Sequence, residues 1–401
     1  MKIQLPWLAA CLLAGTSLIA PHAARALNGP AGVNIDGGPL GQLEVSAAMD
    51  GNAYVQTGAA DTAHKGNSLA SDYTDGMDLN SYMIQLKKNS GLVQFTFQVA
   101  GFKTYTLGAN RPKEATTNHF TLGPLRNAYV TLAPIDGLKI SAGQMGSLEG
   151  YESTFPWNNP TSMDTVLYYV TNSNSRGVQV EYTKGPADVT VLYGDGTDSG
   201  VFNYLQFLGT YTFDANNNLN VSGGVAFGNT GPNAYAYNQD YVANGNELST
   251  NYNVYSLWYS TTIGNLNLVP EVQYAYAKAN HHYASYGARA VIPKFTDNYG
   301  GALFVDYAFG TSPYSLGAWV EYARSNGDTS YNSWFLAPNA RVVGFSVAPT
   351  WQYKQIYARA NAGYVHLLNG SYTGDGTTGA FGNSGHGTNQ FVGMLEAGLV
   401  F

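Results

Sequence analysis

Residues 393–401 read GMLEAGLVF. With the preceding residues included, Phe391, Leu395, Ala397, Leu399 and Phe401 fall on one parity, and Met394, Glu396, Gly398 and Val400 on the other. A period of two describes a strand with two chemically different faces. Chain ends are ordinarily polar and frayed. A two-faced strand that runs into its final aromatic residue therefore predicts that this end is itself paired.

The same alternation recurs upstream. Val93, Phe95, Phe97 and Val99 interleave with Gln94, Thr96 and Gln98, and Leu266, Leu268, Val272, Tyr274 and Tyr276 with Asn267, Glu271 and Gln273. Only 11% of the 401 residues are charged, while 44% are hydrophobic and 13% aromatic. Soluble domains carry about 25% charged residues, so an ordinary water-facing surface is missing. Beyond the N-terminal leader no apolar run is long enough for a transmembrane helix. Strands of about ten residues, repeated along the chain, suit a lipid-facing band instead.

The connections between these strands alternate in length. Short ones fall at 89–91, 134–137, 184–186, 214–218, 264–265, 310–313 and 354–355, with longer Gly- and Asn-rich stretches between them. Tight turns at one end and long loops at the other describe an up-and-down transmembrane antiparallel β-barrel. Seven short turns and eight long loops predict about sixteen strands, with both termini on the periplasmic side. The last strand must then close against a first strand near Gln42–Gln56, because lipid cannot satisfy an open edge.

Residues 1–26, with Lys2 before an apolar stretch and Ala24-Arg25-Ala26 at its end, read as a cleaved secretory signal. Residues 27–41 form a periplasmic lead-in and 42–401 the barrel. The sole cysteine, Cys11, lies in the leader, so neither disulfides nor thiolate chemistry enters the mature chain.

Leader, alternating strands, tight turns and terminal Phe together resemble the Gram-negative outer-membrane porins. Within them the chain is similar to the OmpL-like β-barrel porins. LNGPAGVNIDGGPLGQLEVSAAMDG (27–51), GYESTFPWNNPTSMDTVLYYVTNSNSRGVQVEY (150–182) and the C-terminal strand carry that resemblance. It implies an outer-membrane barrel engaged in transport, with no substrate to carry over. It also implies that Phe401, Leu399 and Leu395 form the signal read by the barrel-assembly machinery.

Sixteen strands enclose a water-filled lumen, whereas about eight leave an interior filled by side chains. The expected function is a diffusion channel for small hydrophilic solutes and ions, surrounded by outer-membrane lipid and lipopolysaccharide. The segment 147–175 follows the fifth barrel strand and matches the place of the inward-folding loop of general porins. Its Glu149, Glu152, Asp164 and Trp157 are candidate constriction residues; an external loop or a subunit-contact latch is the alternative. Strand parity turns Glu44, Glu181, Asp188, Glu271, Asp306, Glu321 and Glu396 inward, opposed by Lys87, Lys139 and Arg359. Acids exceed bases, so a weak cation preference is expected. The facing of Arg126 depends on a bulge at Gly123-Pro124. Trp258 and Trp319 share the inward parity, either to stack on sugars in a saccharide-specific channel or, better, as girdle or lumen packing.

Enzyme activity is not expected. His64, His119, His281, His282, His366 and His386 sit in no triad context, and adjacent His281 and His282 on an extended chain point to opposite sides. Asp195 and Asp198 lack the spacing of a known calcium loop. No cofactor, metal or nucleic-acid partner is expected, and a homotrimer is the oligomer that chain size suggests.

Overall fold

The computed structural model describes residues 27–64, 68–70, 73–103, 105–108, 123–172, 174–196, 199–230, 251–282, 292–327 and 336–401. The leader 1–26, His119 and Asp198 lie outside the described residues.

Seventeen strands carry the fold: β1 (Val33–Asp36), β2 (Gln42–Gln56), β3 (Asp75–Lys88), β4 (Val93–Gly101), β5 (Leu125–Ile135), β6 (Leu138–Gly146), β7 (Asn174–Lys184), β8 (Ala187–Asp195), β9 (Phe202–Asp214), β10 (Asn217–Ala226), β11 (Tyr252–Ile263), β12 (Leu266–Ala277), β13 (Thr296–Ala308), β14 (Tyr314–Ser325), β15 (Arg341–Tyr353), β16 (Ile356–Asn369) and β17 (Asn389–Val400). Strands β2 to β17 each pair antiparallel with the next, and β17 pairs with β2, closing a sixteen-strand barrel. All seven short turns lie where the spacing puts them. The two-residue turn Lys354-Gln355 holds Lys354 at φ 52, the left-handed geometry that matches such a turn to the twist of its strands.

The terminal strand closes in the register Val392↔Gln56 to Val400↔Ala48. Phe401 adds the last rung, its N–H and C=O both bonded to Ala47 at 2.9 and 2.8 Å. β1 was not expected as a strand. It pairs with β2 from Val33↔Val45 to Asp36↔Gln42, so it continues along the same edge of β2 where β17 runs out. The bare backbone at the start of β2 thereby gains a partner.

The barrel is apolar outside and polar inside. Val130, Leu132, Val178, Val189, Tyr193, Leu257, Val272, Phe345 and Leu395 stand exposed on the outer face. Ser46, Asn52, Gln98, Gln144, Gln179, Gln206 and Gln273 are buried on the inner one. Near the turns, Tyr211 and Phe213 pack edge to face at 5.0 Å, as do Tyr307 and Phe309, an arrangement suited to a membrane interface.

One register differs from the expectation. The bulge in β5 falls at Arg126 itself rather than at Gly123-Pro124: Gln98 pairs with Asn127 and Val99 with Leu125, leaving Arg126 unmatched between them. The side chain turns inward, donates to Thr154 Oγ1 at 3.0 Å and lies over the Phe102 ring.

Candidate functional site

Between β6 and β7 the chain turns back into the barrel. It has little regular structure, only a 3-10 turn at Pro156–Asn158 and the short helix α1 (Val166–Val170), so its backbone groups need partners elsewhere. Inward side chains of the wall supply them. Gln206 accepts from the Leu148 N–H at 3.0 Å, Ser222 from Gly150 at 3.1 Å and Glu271 from Tyr151 at 3.2 Å. Asn361 accepts from Ser162 at 3.0 Å and Glu321 from Val166 at 2.9 Å. In the other direction, Arg359 donates to the carbonyls of Pro156 at 3.0 Å and Asn159 at 3.2 Å. Trp319 Nε1 donates to Met163 O at 2.6 Å, and Gln273 to Leu167 O at 3.2 Å.

Glycines in the wall make room for this segment. Gly224, Gly300, Gly317 and Gly363 all face inward, and a methyl group on any of them would strike the loop. On Gly317 it would overlap the Pro160 carbonyl, and on Gly300 it would come within 2.8 Å of Leu167 Cδ2. The loop lies flat against the β10–β16 side because those positions carry no side chain.

The candidate constriction residues are buried between the loop, the wall and the β4–β5 connection rather than lining a rim. Glu149 accepts from the Tyr204 hydroxyl at 2.8 Å, the Tyr252 hydroxyl at 2.9 Å and the Asn172 N–H at 2.7 Å. Glu152 is held by the N–H and hydroxyl of Thr165, the residue that caps α1. Asp164 accepts from the Tyr105 N–H and from Asn159, each at 3.2 Å. Burial raises Glu149 to about 7 against these hydrogen bonds, raises Asp164 to about 7 as well, and pushes Glu152 well above the usual carboxylate range. Trp157 is 1% exposed and stacks on Phe155 at 4.9 Å. Its indole N–H has no partner among the described residues. Both rings pack with Ala48, Met83, Ala100, Phe102, Tyr357 and Val400, beneath the seam where β17 meets β2.

The inward charges divide into two groups. Glu271, Glu321, Arg359 and Glu396 lie under the loop. Arg359 and Glu396 form a fully buried pair at 3.0 Å, and Glu396 also receives the Tyr357 hydroxyl at 2.7 Å and the Ser162 hydroxyl. Toward the turns, Glu44 faces Lys87 across the β2–β3 register, Lys139 pairs with Glu181 at 2.7 Å, and Asp188 and Asp306 share the same face. Trp258 and Trp319 are both buried on the inner face. Asp50, buried and bonded to Asn80, escaped the sequence reading although it shares the parity of Glu44. The loop anchors Gln206, Ser222, Gln273 and Asn361 were also missed, and Trp319, read as inward packing, was not read as an anchor. Parity makes them inward-facing, but nothing in the sequence says what will lie against them.

Leu395, Leu399 and Phe401, the residues expected to carry an assembly signal, lie on the outer face, with Leu395 68% exposed. Among the described residues no group of His, Cys, Asp and Glu is placed to hold a metal ion.

Residues 42–401 match the family model described as "Putative beta-barrel porin-2, OmpL-like". The chain belongs to this porin family. Solved structures share the fold of this porin at low identity. The anion-selective porin from Comamonas acidovorans is 11% identical with a TM-score of 0.56, covering 90% of this chain and 99% of that one. OmpT of Vibrio cholerae, in its trimer form, is 12% identical with a TM-score of 0.54 and the same coverage. Salmonella typhi OmpF, in complex with daunomycin, is 12% identical with a TM-score of 0.52, covering 92% of this chain and all of that one. No curated protein matches the sequence.

Proposed function

We propose that this chain forms a passive diffusion channel for small hydrophilic solutes in the outer membrane of a Gram-negative bacterium, and that the segment 147–175 sets its calibre. The carrying observation is the docking of that segment, whose backbone is bonded on both donor and acceptor sides by inward residues of the wall. A loop held this way narrows the lumen by its own thickness without closing it. Planar-bilayer conductance, followed by liposome swelling in sugars of graded size, tests the reading. Graded size exclusion supports a general pore, and absence of channels from folded protein overturns it.

The channel prefers cations weakly. With Glu271, Glu321 and Glu396 engaged by the loop, the acids left on the inner face near the turns are Glu44, Glu181, Asp188 and Asp306, against Lys87 and Lys139. Cross-strand pairing of Glu44 with Lys87 and of Glu181 with Lys139 cancels much of this field. Salt screens the remainder beyond about 8 Å.

The second reading is a channel selective for neutral polyhydroxyl solutes. It is favoured by a ladder of uncharged groups on the inner face of β2 to β5, in which Asn127 donates to Gln98, Gln98 to Gln85, and Gln85 to Ser46. Block of the current by one sugar, and by no other of equal size, supports it.

Homotrimers are the proposed assembly. On the outer face of β16, β17 and β2, small residues fall in register, Ala358 beside Ala397 beside Gly51 and Ala362 beside Gly393, which lets a neighbouring barrel approach closely. Lipid, lipopolysaccharide and the barrel-assembly machinery are the remaining proposed partners.

A further inference from the structure

Residues 27–32, just before β1, stay against the barrel wall. Asn28 is gripped by Gln352, the last inward residue of β15. The Gln352 side chain accepts from the Asn28 N–H at 2.9 Å and donates to the Asn28 carbonyl at the same distance. Leu27 is buried in the cluster that holds Phe155 and Trp157, the tip of the loop. Gly29 lies so close to this tip that a Cβ there would come within 2.6 Å of Asn158 Oδ1 and 3.5 Å of Trp157 Cδ1. Gly32, at φ 72, passes over the Glu44 side chain on the inner face. β1 then fixes the far end of the segment by pairing with β2.

The segment thus has two attachments to the wall, Gln352 on one side and β2 on the other, and between them it touches the loop from the turn side. The loop's own anchors hold its backbone from above and from the side. From the wall, Arg359 reaches the carbonyl of Pro156 in the tip; the stacked rings of Phe155 and Trp157 sit in an apolar cluster, and Leu27 forms part of that packing.

We infer that residues 27–36 are a second element of the constriction, a strap across the turn-side mouth that holds the Phe155–Asn158 tip of the loop against the seam. The inference rests on the channel reading. The strap positions the loop through residues 27–29 and touches no charge of the docking site itself, so losing those contacts loosens the tip while β1 stays paired with β2.

Three single substitutions in the full chain test this. Q352A removes all three hydrogen bonds to Asn28, L27D removes the apolar contact with the tip, and G29V drives a side chain into Asn158. Each is examined in planar bilayers beside the unmodified protein and beside L27M, which keeps an apolar side chain of similar size. The expected result is a rise in mean conductance and frequent switching between sub-levels for Q352A, L27D and G29V, with L27M behaving as the unmodified protein. Heat-modifiable migration should stay the same throughout, because no barrel strand has lost a pairing. If the unmodified protein conducts and the variants match it in level and switching, the strap is overturned while the channel stands. If the variants lose heat-modifiable migration, the segment serves barrel closure and not the loop, which also overturns the proposal. If the folded, unmodified protein forms no channels, the channel reading itself has failed.

Discussion

Arg359 carries the largest single consequence among the residues. Its guanidinium is fully buried, bonded to Glu396 on one side and to two loop carbonyls on the other. Removing one partner of a buried pair costs about 3–5 kcal/mol, because the remaining charge is left unsolvated. R359A should therefore release the tip and raise both conductance and current noise, and R359A/E396A should recover part of the loss. An R359A channel identical to the unmodified one would show that the pair does not hold the loop. Glu149 adds a pH dependence. Its carboxyl is raised by burial from the ordinary 4.5 to about 7, so the docked state binds the proton more tightly than the released state. Docking is then strongest below about pH 4.5, weakens as pH rises toward 7, and levels off above it. Switching frequency should climb across that window in the unmodified channel. E149Q, which is neutral throughout, should make the climb shallower, leaving the part that Asp164 and Glu152 carry.

At the scale of elements, strands and turns were legible because both follow rules of local chemistry. Alternation sets the faces, and the two-residue and Gly-containing turns set the ends, so each of the seven short connections was found from spacing alone. The bulge was harder. Pro124 pointed to the neighbourhood of a register change, but the unmatched residue is Arg126, whose side chain gains Thr154 and the Phe102 ring by turning in. That gain is tertiary and leaves no mark in the local pattern. The loop 147–175 was harder again, since it has no period. Its acids suggested a charged rim, yet Glu149 meets the Tyr204 and Tyr252 hydroxyls of the wall, Glu152 meets Thr165 of the loop itself, and Asp164 meets the Tyr105 N–H. Parity names a face; it does not say whether water or another segment will cover it. The loop as an element yields a test on the wall side. G317V places a branched side chain where the Pro160 carbonyl lies and should push the loop into the lumen, lowering conductance. Deleting 152–165 should raise it. Equal conductance for both variants would separate the loop from the pore's calibre.

At the scale of the whole molecule, an apolar exterior and a polar interior reverse the usual arrangement of a globular protein. On the proposed channel reading, the hydrocarbon of the membrane takes the place of a core, and the loop shares the space within with water. The charges that remain on the inner face near the turns are few and mostly paired. Zero-current potentials in a KCl gradient should therefore reverse toward cations by a small margin that shrinks as salt is raised. A reversal toward anions would mean that Lys87, Lys139 or Arg126 dominates the field along the path. The net charge of −7 belongs to the whole chain and does not decide this, because only groups beside the path are felt at these screening lengths.

β1 lies on the same edge of β2 as β17, immediately past its final rung. It is a doorstop. A closing strand that slides toward the start of β2 runs into Val33, and a slip of a single position would turn every lipid-facing side chain into the lumen. Alternation penalises the wrong alignment after it has formed, whereas an occupied edge keeps it from forming. Whichever strand arrives first on that edge dictates where the other must halt, so the two ends of the chain measure each other.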